Sequence, residues 1–143
     1  MNNTHFLFVD DDPEELVILS DVFNDIHADI TIRYAANGEE ALVLVNRDFE
    51  SGIIPSLIIL DLNMPRMNGS QTLESLKSSE RFKHIPVIIY STSLNAFEKD
   101  QCISKGAHSY LTKPTSYAET LDTINYFLKV AGSQHISSNS NAL

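Results

Sequence analysis

The sequence is poor in several residue types that would point to particular classes of protein. Its only cysteine is Cys102, so no disulfide can form within the chain, and one thiolate cannot build a zinc site alone. Basic residues are also scarce, since ten Lys and Arg against nineteen Asp and Glu give a net charge of −9. A surface this negative repels nucleic acid phosphates and anionic membranes, so neither is an expected partner.

Long hydrophobic runs are missing as well. The N-terminal segment MNNTHFLFVDDD has one short apolar run and no basic residue before it, so it predicts neither a secretory signal nor a membrane span. The five histidines lack the spacing of a metal site, and we interpret them as surface or structural residues. With 43% hydrophobic residues, the chain has enough apolar material for one packed domain, and the cytoplasm is its expected location.

Short apolar runs alternate along the chain with amphipathic segments. The apolar runs cover residues 6–9, 30–35, 57–60, 87–90 and 108–111. Most are continuous in Leu, Ile, Val and Phe, which is typical of strands buried on both faces of a parallel sheet. The run at 30–35 alternates instead and predicts an edge strand. Because a helix-period segment follows each run, the sequence predicts an α/β fold with one parallel sheet between two helical layers.

The last two helices differ in how strongly the sequence predicts them. The segment 95–105 is the weakest, because Phe97 and Ile103 are its few apolar anchors. The final helix has a clear apolar stripe, formed by Tyr117, Leu121, Ile124 and Leu128. Ser116 and Glu119 have the spacing of a capping box at its start. Residues 132–143 are small, polar and aperiodic, so we expect a flexible tail after a domain that covers residues 1–131.

Polar side chains follow four of the predicted strands. They are Asp10 and Asp11 after the first, Asp61 after the third, Ser91 after the fourth and Lys113 after the fifth. The carboxyl ends of parallel strands share one edge, where open α/β sheets bind ligands. Clustered carboxylates repel one another unless a cation neutralises them, and oxygen ligands favour a hard ion such as Mg2+. Such an ion beside a lysine and a hydroxyl suits phosphoryl transfer, with Asp61 as the nucleophile.

Each of these residues also has an ordinary structural explanation when it is taken alone. An Asp after a strand more often forms a turn or caps a helix than binds a ligand. Asp12 fits that explanation, since it can cap a helix whose first residue is Pro13. The coincidence of polar groups at four strand ends, however, favours a functional site.

Four motifs together resemble the receiver domain of two-component response regulators. They are FVDDDP at 8–13, LDLNMPRMNG at 60–69, VIIYSTS at 87–93 and YLTKP at 110–114. The resemblance covers about residues 5–130 and implies a flavodoxin-like, CheY-like (βα)5 fold with strand order 2-1-3-4-5. The stretch LKSSERFKHIPVIIYSTS is also similar to a subgroup of single-domain receivers, some of which serve phytochrome-type histidine kinases.

The resemblance implies a role for each site residue. Asp61 is expected to be the phosphoacceptor, and Asp11 a direct Mg2+ ligand that Asp10 assists through water. Asn63 is expected to offer its backbone carbonyl to the metal. Lys113 is expected to pair with Asp61 and then with the phosphoryl oxygens.

The family also implies a switch at the end of the sheet. The hydroxyl of Ser91 is expected to bond the phosphoryl group, and Tyr110 is expected to turn inward when Ser91 moves. The Lys113–Pro114 peptide bond is expected to be cis. The position two residues past Ser91 holds a hydroxyl, Ser93, and family members vary there.

The implied function is that of a stand-alone response regulator without an output domain. It would take a phosphoryl group from a sensor histidine kinase or a histidine phosphotransfer protein, catalyse its own dephosphorylation, and signal by protein–protein contact as a monomer or homodimer. A haloacid-dehalogenase-like phosphatase would need a second Asp two residues past its nucleophile, where this chain has Asn63. A pseudo-receiver usually lacks part of the acidic set or the lysine, and a Rossmann protein needs a glycine motif that this chain lacks.

Overall fold

The fold is a five-stranded parallel sheet with helices on both faces. A computed structural model describes residues 4–92 and 94–139, with the side chains of residues 133–139 left out. The elements are β1 (Thr4–Val9), α1 (Pro13–Asp25), β2 (Ile30–Ala35), α2 (Gly38–Glu50), β3 (Leu57–Asp61), α3 (Gly69–Lys77), β4 (Val87–Ser91), α4 (Ala96–Ser104), β5 (Ser109–Thr112) and α5 (Tyr117–Asn139). The strand order is β2-β1-β3-β4-β5. The predicted fold class is therefore confirmed, including the edge position of β2.

The sheet separates two hydrophobic cores. Phe6 and Phe8 of β1 belong to the core that α1 and α5 cover, whereas Leu7 and Val9 belong to the core with α2 and α3. This division follows from the alternation of side chains along a strand. All residues of β3 and β4 are buried, which explains their continuous apolar runs. The rigid sheet thus fixes the positions of the residues at its carboxyl edge.

The loop after β3 folds back closely on the sheet. A Cβ atom at Gly69 would lie 2.3 Å from the carbonyl oxygen of Asp61 and 2.7 Å from the Cα of Leu62. Since both neighbours are backbone atoms in a packed region, only glycine fits here. The Gly69 amide donates to the Leu62 carbonyl over 3.0 Å, and Asn68 caps α3 in a capping box with Gln71. The start of α3 therefore holds the chain around Asp61.

Helix α1 begins as the sequence predicts. Asp12 is its N-cap and accepts a 3.0 Å hydrogen bond from the amide of Glu14, with Pro13 at the first helical position. This confirms the structural role of Asp12, which is separate from the acidic cluster formed by its two neighbours. The cap fixes where the loop after β1 ends.

Helix α4 is held differently from the prediction. Phe97 is 70% exposed and Ile103 is 43% exposed, so neither anchors the helix, and Cys102 is the buried residue of α4 instead. The sequence pattern failed here because a nine-residue helix with few apolar residues has no unique apolar face. The expectation that α4 has few apolar anchors is confirmed, but the residues chosen as anchors were wrong.

Helix α5 also departs from the predicted pattern. Tyr117, expected in the apolar stripe, is 55% exposed, while Phe127 is fully buried. Ser116 caps the helix by accepting from the Glu119 amide, but the Glu119 carboxylate accepts from the amide of Thr115, one residue earlier than in a capping box.

The predicted domain boundary at residue 132 does not coincide with a helix end. Helix α5 continues from Tyr117 to Asn139, and residues 140–143 of the expected tail lie outside the described residues. The flexibility of this tail stays a prediction. Over the described chain, no helix combines the length and the apolar character that crossing a membrane requires.

Candidate functional site

Three carboxylates meet at the carboxyl edge of the sheet. Each of Asp10, Asp11 and Asp61 offers an oxygen, and these oxygens all lie within 4.8 Å of one another. Asp10 and Asp61 are buried, whereas Asp11 is exposed. Mg2+ prefers oxygen ligands and usually keeps several bound waters. The donors here are all oxygen, and the exposed side of the cluster leaves room for water. The residues present therefore fit the hard cation that the sequence predicts.

Hydrogen bonds hold both carboxylate oxygens and the backbone amide of Asp10. Its Oδ1 accepts from the Asp12 amide over 2.9 Å, and its Oδ2 accepts from Lys113 Nζ over 2.8 Å. Its own amide donates to the Ala35 carbonyl over 3.1 Å. The side chain is completely buried, which is tolerable for a carboxylate because these partners satisfy it.

Lys113 lies between the two buried carboxylates, closer to Asp10 than the sequence predicts. Its Nζ is 2.8 Å from Asp10 Oδ2 and 3.8 Å from Asp61 Oδ1. Burial alone would lower the pKa of Lys113, but the hydrogen bond to Asp10 and the charges of Asp10 and Asp61 outweigh burial and raise the pKa. The ammonium therefore stays charged beside Asp61.

The backbone next to Lys113 corrects one prediction. The described chain contains no cis peptide bond, so the expected cis bond between Lys113 and Pro114 was wrong. The Lys113 amide donates to the Ser91 carbonyl over 2.6 Å, which extends the pairing of β4 with β5 by one residue. This bond and the Asp10 carboxylate direct the lysine toward the acidic cluster with a trans bond.

Asp61 has an unusual electrostatic environment. Burial raises its pKa, the charge of Asp10 raises it further, and Lys113 and the Asn63 amide oppose both effects, so that the pKa is about 6. The amide of Asn63 lies 3.4 Å from Asp61 Oδ1, which makes it a weak donor. The folded protein therefore disfavours an ionised Asp61 when no cation is bound. The carbonyl of Asn63 as a metal ligand stays a prediction.

This shifted pKa predicts that Asp61→Asn stabilises the metal-free protein at pH 7. The difference between about 6 and the ordinary 3.8 corresponds to about 3 kcal/mol. Screening by water at the open edge should reduce it to roughly 1 to 2 kcal/mol. Because the folded pKa is raised, the gain should be complete above about pH 6 and should vanish below about pH 4.

Urea unfolding with EDTA present, repeated across this pH range, measures the effect. The exposed Asp122 offers a matched control, since Asp122→Asn removes the same charge from α5, outside the cluster. An Asp61→Asn gain that persists unchanged below pH 4 would contradict the electrostatic explanation.

Ser91 and Tyr110 lie on the neighbouring strands β4 and β5. Ser91, the last residue of β4, is 1% exposed, and Tyr110 of β5 is 6% exposed. The Tyr110 hydroxyl donates to Glu98 of α4 over 3.3 Å. The ring already lies inside the protein, so the expected inward turn does not describe a change from this conformation. The assignment of Ser91 and Tyr110 as a switch stays a prediction.

Three residues near the site were missed by the sequence reasoning. Glu98 contacts Tyr110. Glu15 is a half-buried carboxylate whose pKa is raised, because burial outweighs the opposing charge of Lys113. Tyr34, near the end of β2, donates its hydroxyl to the Asp10 carbonyl over 2.6 Å. Burial and the charges of Asp10 and Asp11 raise the pKa of Tyr34, so the hydroxyl stays a donor at neutral pH. Its position at the same sheet edge was the signal that could have identified Tyr34.

Comparison with known proteins agrees with this geometry. The family model described as "Response regulator receiver domain" matches residues 6–125. The two-component response regulator ORR5 of Oryza sativa subsp. japonica is 33% identical, covering 77% of this chain and 78% of the relative. Protein PilH of Pseudomonas aeruginosa is 32% identical, covering 85% and 95%. The crystal structure of response regulator RPA3017, in red light signaling of R. palustris, matches with a TM-score of 0.78 and 28% identity, covering 87% and 91%.

Proposed function

The chain belongs to the family of response regulator receiver domains, and on this premise we propose that it accepts a phosphoryl group on Asp61 from a phosphohistidine. The observation that carries the proposal is the convergence of three carboxylates and the Lys113 ammonium at the carboxyl edge of the sheet. Phosphoryl transfer is mainly positioning and charge neutralisation, and this edge supplies both. The donor would be a sensor histidine kinase or a histidine phosphotransfer protein.

The proposed reaction uses groups in this arrangement. A carboxylate oxygen of Asp61 attacks the phosphorus, the bond from phosphorus to the histidine nitrogen breaks, and the nitrogen keeps the electron pair. Mg2+, when bound, would supply positive charge that offsets the negative charge of the transferred group. Asp11 and the Asn63 carbonyl would hold it directly together with Asp61, and Asp10 would assist through water. Lys113 would then shift its pairing from the carboxylates to the phosphoryl oxygens.

The raised pKa of Asp61 supports a role for the cation in keeping the nucleophile ionised. Without it, burial and the charge of Asp10 hold the pKa of Asp61 at about 6, which disfavours the ionised nucleophile. A nearby divalent ion reverses that balance because its charge exceeds that of Asp10. Water attack on the aspartyl phosphate would return the protein to its resting state, so the chain is proposed as a switch that resets itself. Its proposed location is the cytoplasm.

The signal is proposed to leave through α4, β5 and α5. Tyr110 connects β5 to Glu98 of α4, and Ser91 precedes the loop to α4. Helix α4 is held by one buried residue, Cys102, so a small change at Ser91 can move it. A phosphorylation-dependent change of this face would bias protein–protein contacts by population shift.

We expect one phosphoryl adduct that requires Mg2+, and altered hydrogen exchange in α4 once it forms. Intact mass after incubation with a small phosphodonor, with Mg2+ or with EDTA, measures the first part. Exchange of residues 96–104 before and after phosphorylation measures the second. A folded protein that gains no adduct beside a working control receiver would contradict the proposal. A phytochrome-type histidine kinase is a donor to test first, because the R. palustris regulator acts in red light signaling.

A further inference from the structure

Tyr34 links the edge strand β2 to the acidic pair. It is the penultimate residue of β2 and pairs in register with Phe8 of β1. Its hydroxyl donates to the carbonyl oxygen of Asp10 over 2.6 Å, while the next residue, Ala35, accepts from the Asp10 amide over 3.1 Å. The amide and the carbonyl of Asp10 are therefore both bound by consecutive residues of β2.

The orientation of the Asp10 carbonyl also determines the direction of the backbone at Asp11. It belongs to the planar peptide that joins Asp10 to Asp11, so fixing the oxygen fixes the direction in which the Asp11 backbone leaves the sheet. Asp10 is completely buried and its carboxylate is bound by Lys113 and Asp12, whereas Asp11 is the exposed member of the cluster. The position of the Asp11 carboxylate therefore depends on the orientation of this peptide.

We propose that Tyr34 is a positioning residue for the cation site, whose hydroxyl holds the Asp10–Asp11 peptide so that Asp11 lies within reach of a cation bound at Asp61. The inference rests on the proposed function, because it assigns Tyr34 to the metal step of that reaction. Tyr34 acts through the main chain of Asp10 and does not itself supply a ligand. Its ring packs beside Phe8, with centroids 6.4 Å apart, which keeps the hydroxyl in place.

Tyr34→Phe tests the proposal because it removes the hydroxyl and keeps the ring. Titration calorimetry of the unphosphorylated protein should show that the Mg2+ dissociation constant rises between about two- and tenfold, the range that one net hydrogen bond supports. The rate of phosphoryl uptake at saturating Mg2+ should stay at the wild-type value. Hydrogen exchange at the Asp11 and Asp12 amides of the metal-free protein should become faster.

Tyr126→Phe is the matched control. Tyr126 also engages its hydroxyl in a hydrogen bond, to Ser109 Oγ over 2.5 Å, but that bond joins α5 to β5 at the opposite edge of the sheet. Removing this hydroxyl should leave the Mg2+ affinity unchanged. The comparison separates the loss of any tyrosine hydroxyl from the loss of the one beside Asp10.

Each other outcome overturns the inference. An unchanged dissociation constant in Tyr34→Phe, or an equal change in Tyr126→Phe, would show that the hydroxyl does not position the site. A loss of uptake rate at saturating Mg2+ as large as the loss of affinity would indicate general structural damage. Wild-type protein that binds no Mg2+ would overturn the proposed function and this inference with it. If the wild type binds Mg2+ and Tyr34→Phe binds it with the same dissociation constant, this inference alone is overturned.

Discussion

Asp61→Asn should abolish phosphoryl uptake, lowering the rate by at least about a thousandfold, the scale of losing a catalytic nucleophile. An asparagine side chain has no carboxylate with which to form an aspartyl phosphate. The variant keeps the shape of the side chain, so the fold and the weak contact with the Asn63 amide should persist. It also removes one of the three carboxylates of the cluster, so Mg2+ binding should weaken.

Intact mass over a time course with a small phosphodonor and Mg2+ checks this result. Asp122→Asn, which changes the same charge at an exposed position of α5, should be phosphorylated at the wild-type rate. If Asp61→Asn gained the adduct as fast as the wild type, another residue would be the acceptor, and Asp11 would be the next to replace. The unfolding measurement described above for Asp61→Asn at pH 7 would show independently that the variant is folded.

The sequence predicted which residues meet because the topology decides it. Once the apolar runs are interpreted as parallel strands, Asp10, Asp61, Ser91 and Lys113 must follow strand ends along one edge. No knowledge of side-chain conformation is needed for that step. The fold class and strand order are confirmed for the same reason, since they depend on hydrophobic periodicity and on the handedness of crossovers.

The sequence did not predict how those residues pair. Lys113 lies 2.8 Å from Asp10 and 3.8 Å from Asp61, and a difference of this size depends on rotamers and on the hydrogen bond between the Lys113 amide and the Ser91 carbonyl. Tyr34 was missed because its contact is with a main-chain oxygen, which no pattern of residue types marks, so its position near the carboxyl end of β2 was the one available signal. Phe97 was predicted to anchor α4 because of its apolar character, but α4 turns it to solvent.

The position of Lys113 leads to a second large effect, on stability. Lys113→Met should lower the unfolding free energy of the metal-free protein by about 3 kcal/mol. The completely buried carboxylate of Asp10 would lose its cationic partner, and three clustered carboxylates would remain without a positive charge between them. Methionine is close to lysine in length and can pack beside the Tyr90 ring, so the loss should reflect charge more than an empty space.

Mg2+ should restore most of that stability, and this distinguishes electrostatics from packing. A bound cation supplies the positive charge that the variant lacks. Because the variant has no ammonium to repel the ion, Lys113→Met should also bind Mg2+ more tightly than the wild type. Urea unfolding at pH 7 with EDTA or with Mg2+ measures both effects. Lys129→Met, at an exposed position of α5, should change stability by less than about 0.5 kcal/mol in either condition. A Lys113→Met loss that is equal with and without Mg2+ would mean that the lysine is held for packing, and its role at Asp61 would have to be reconsidered.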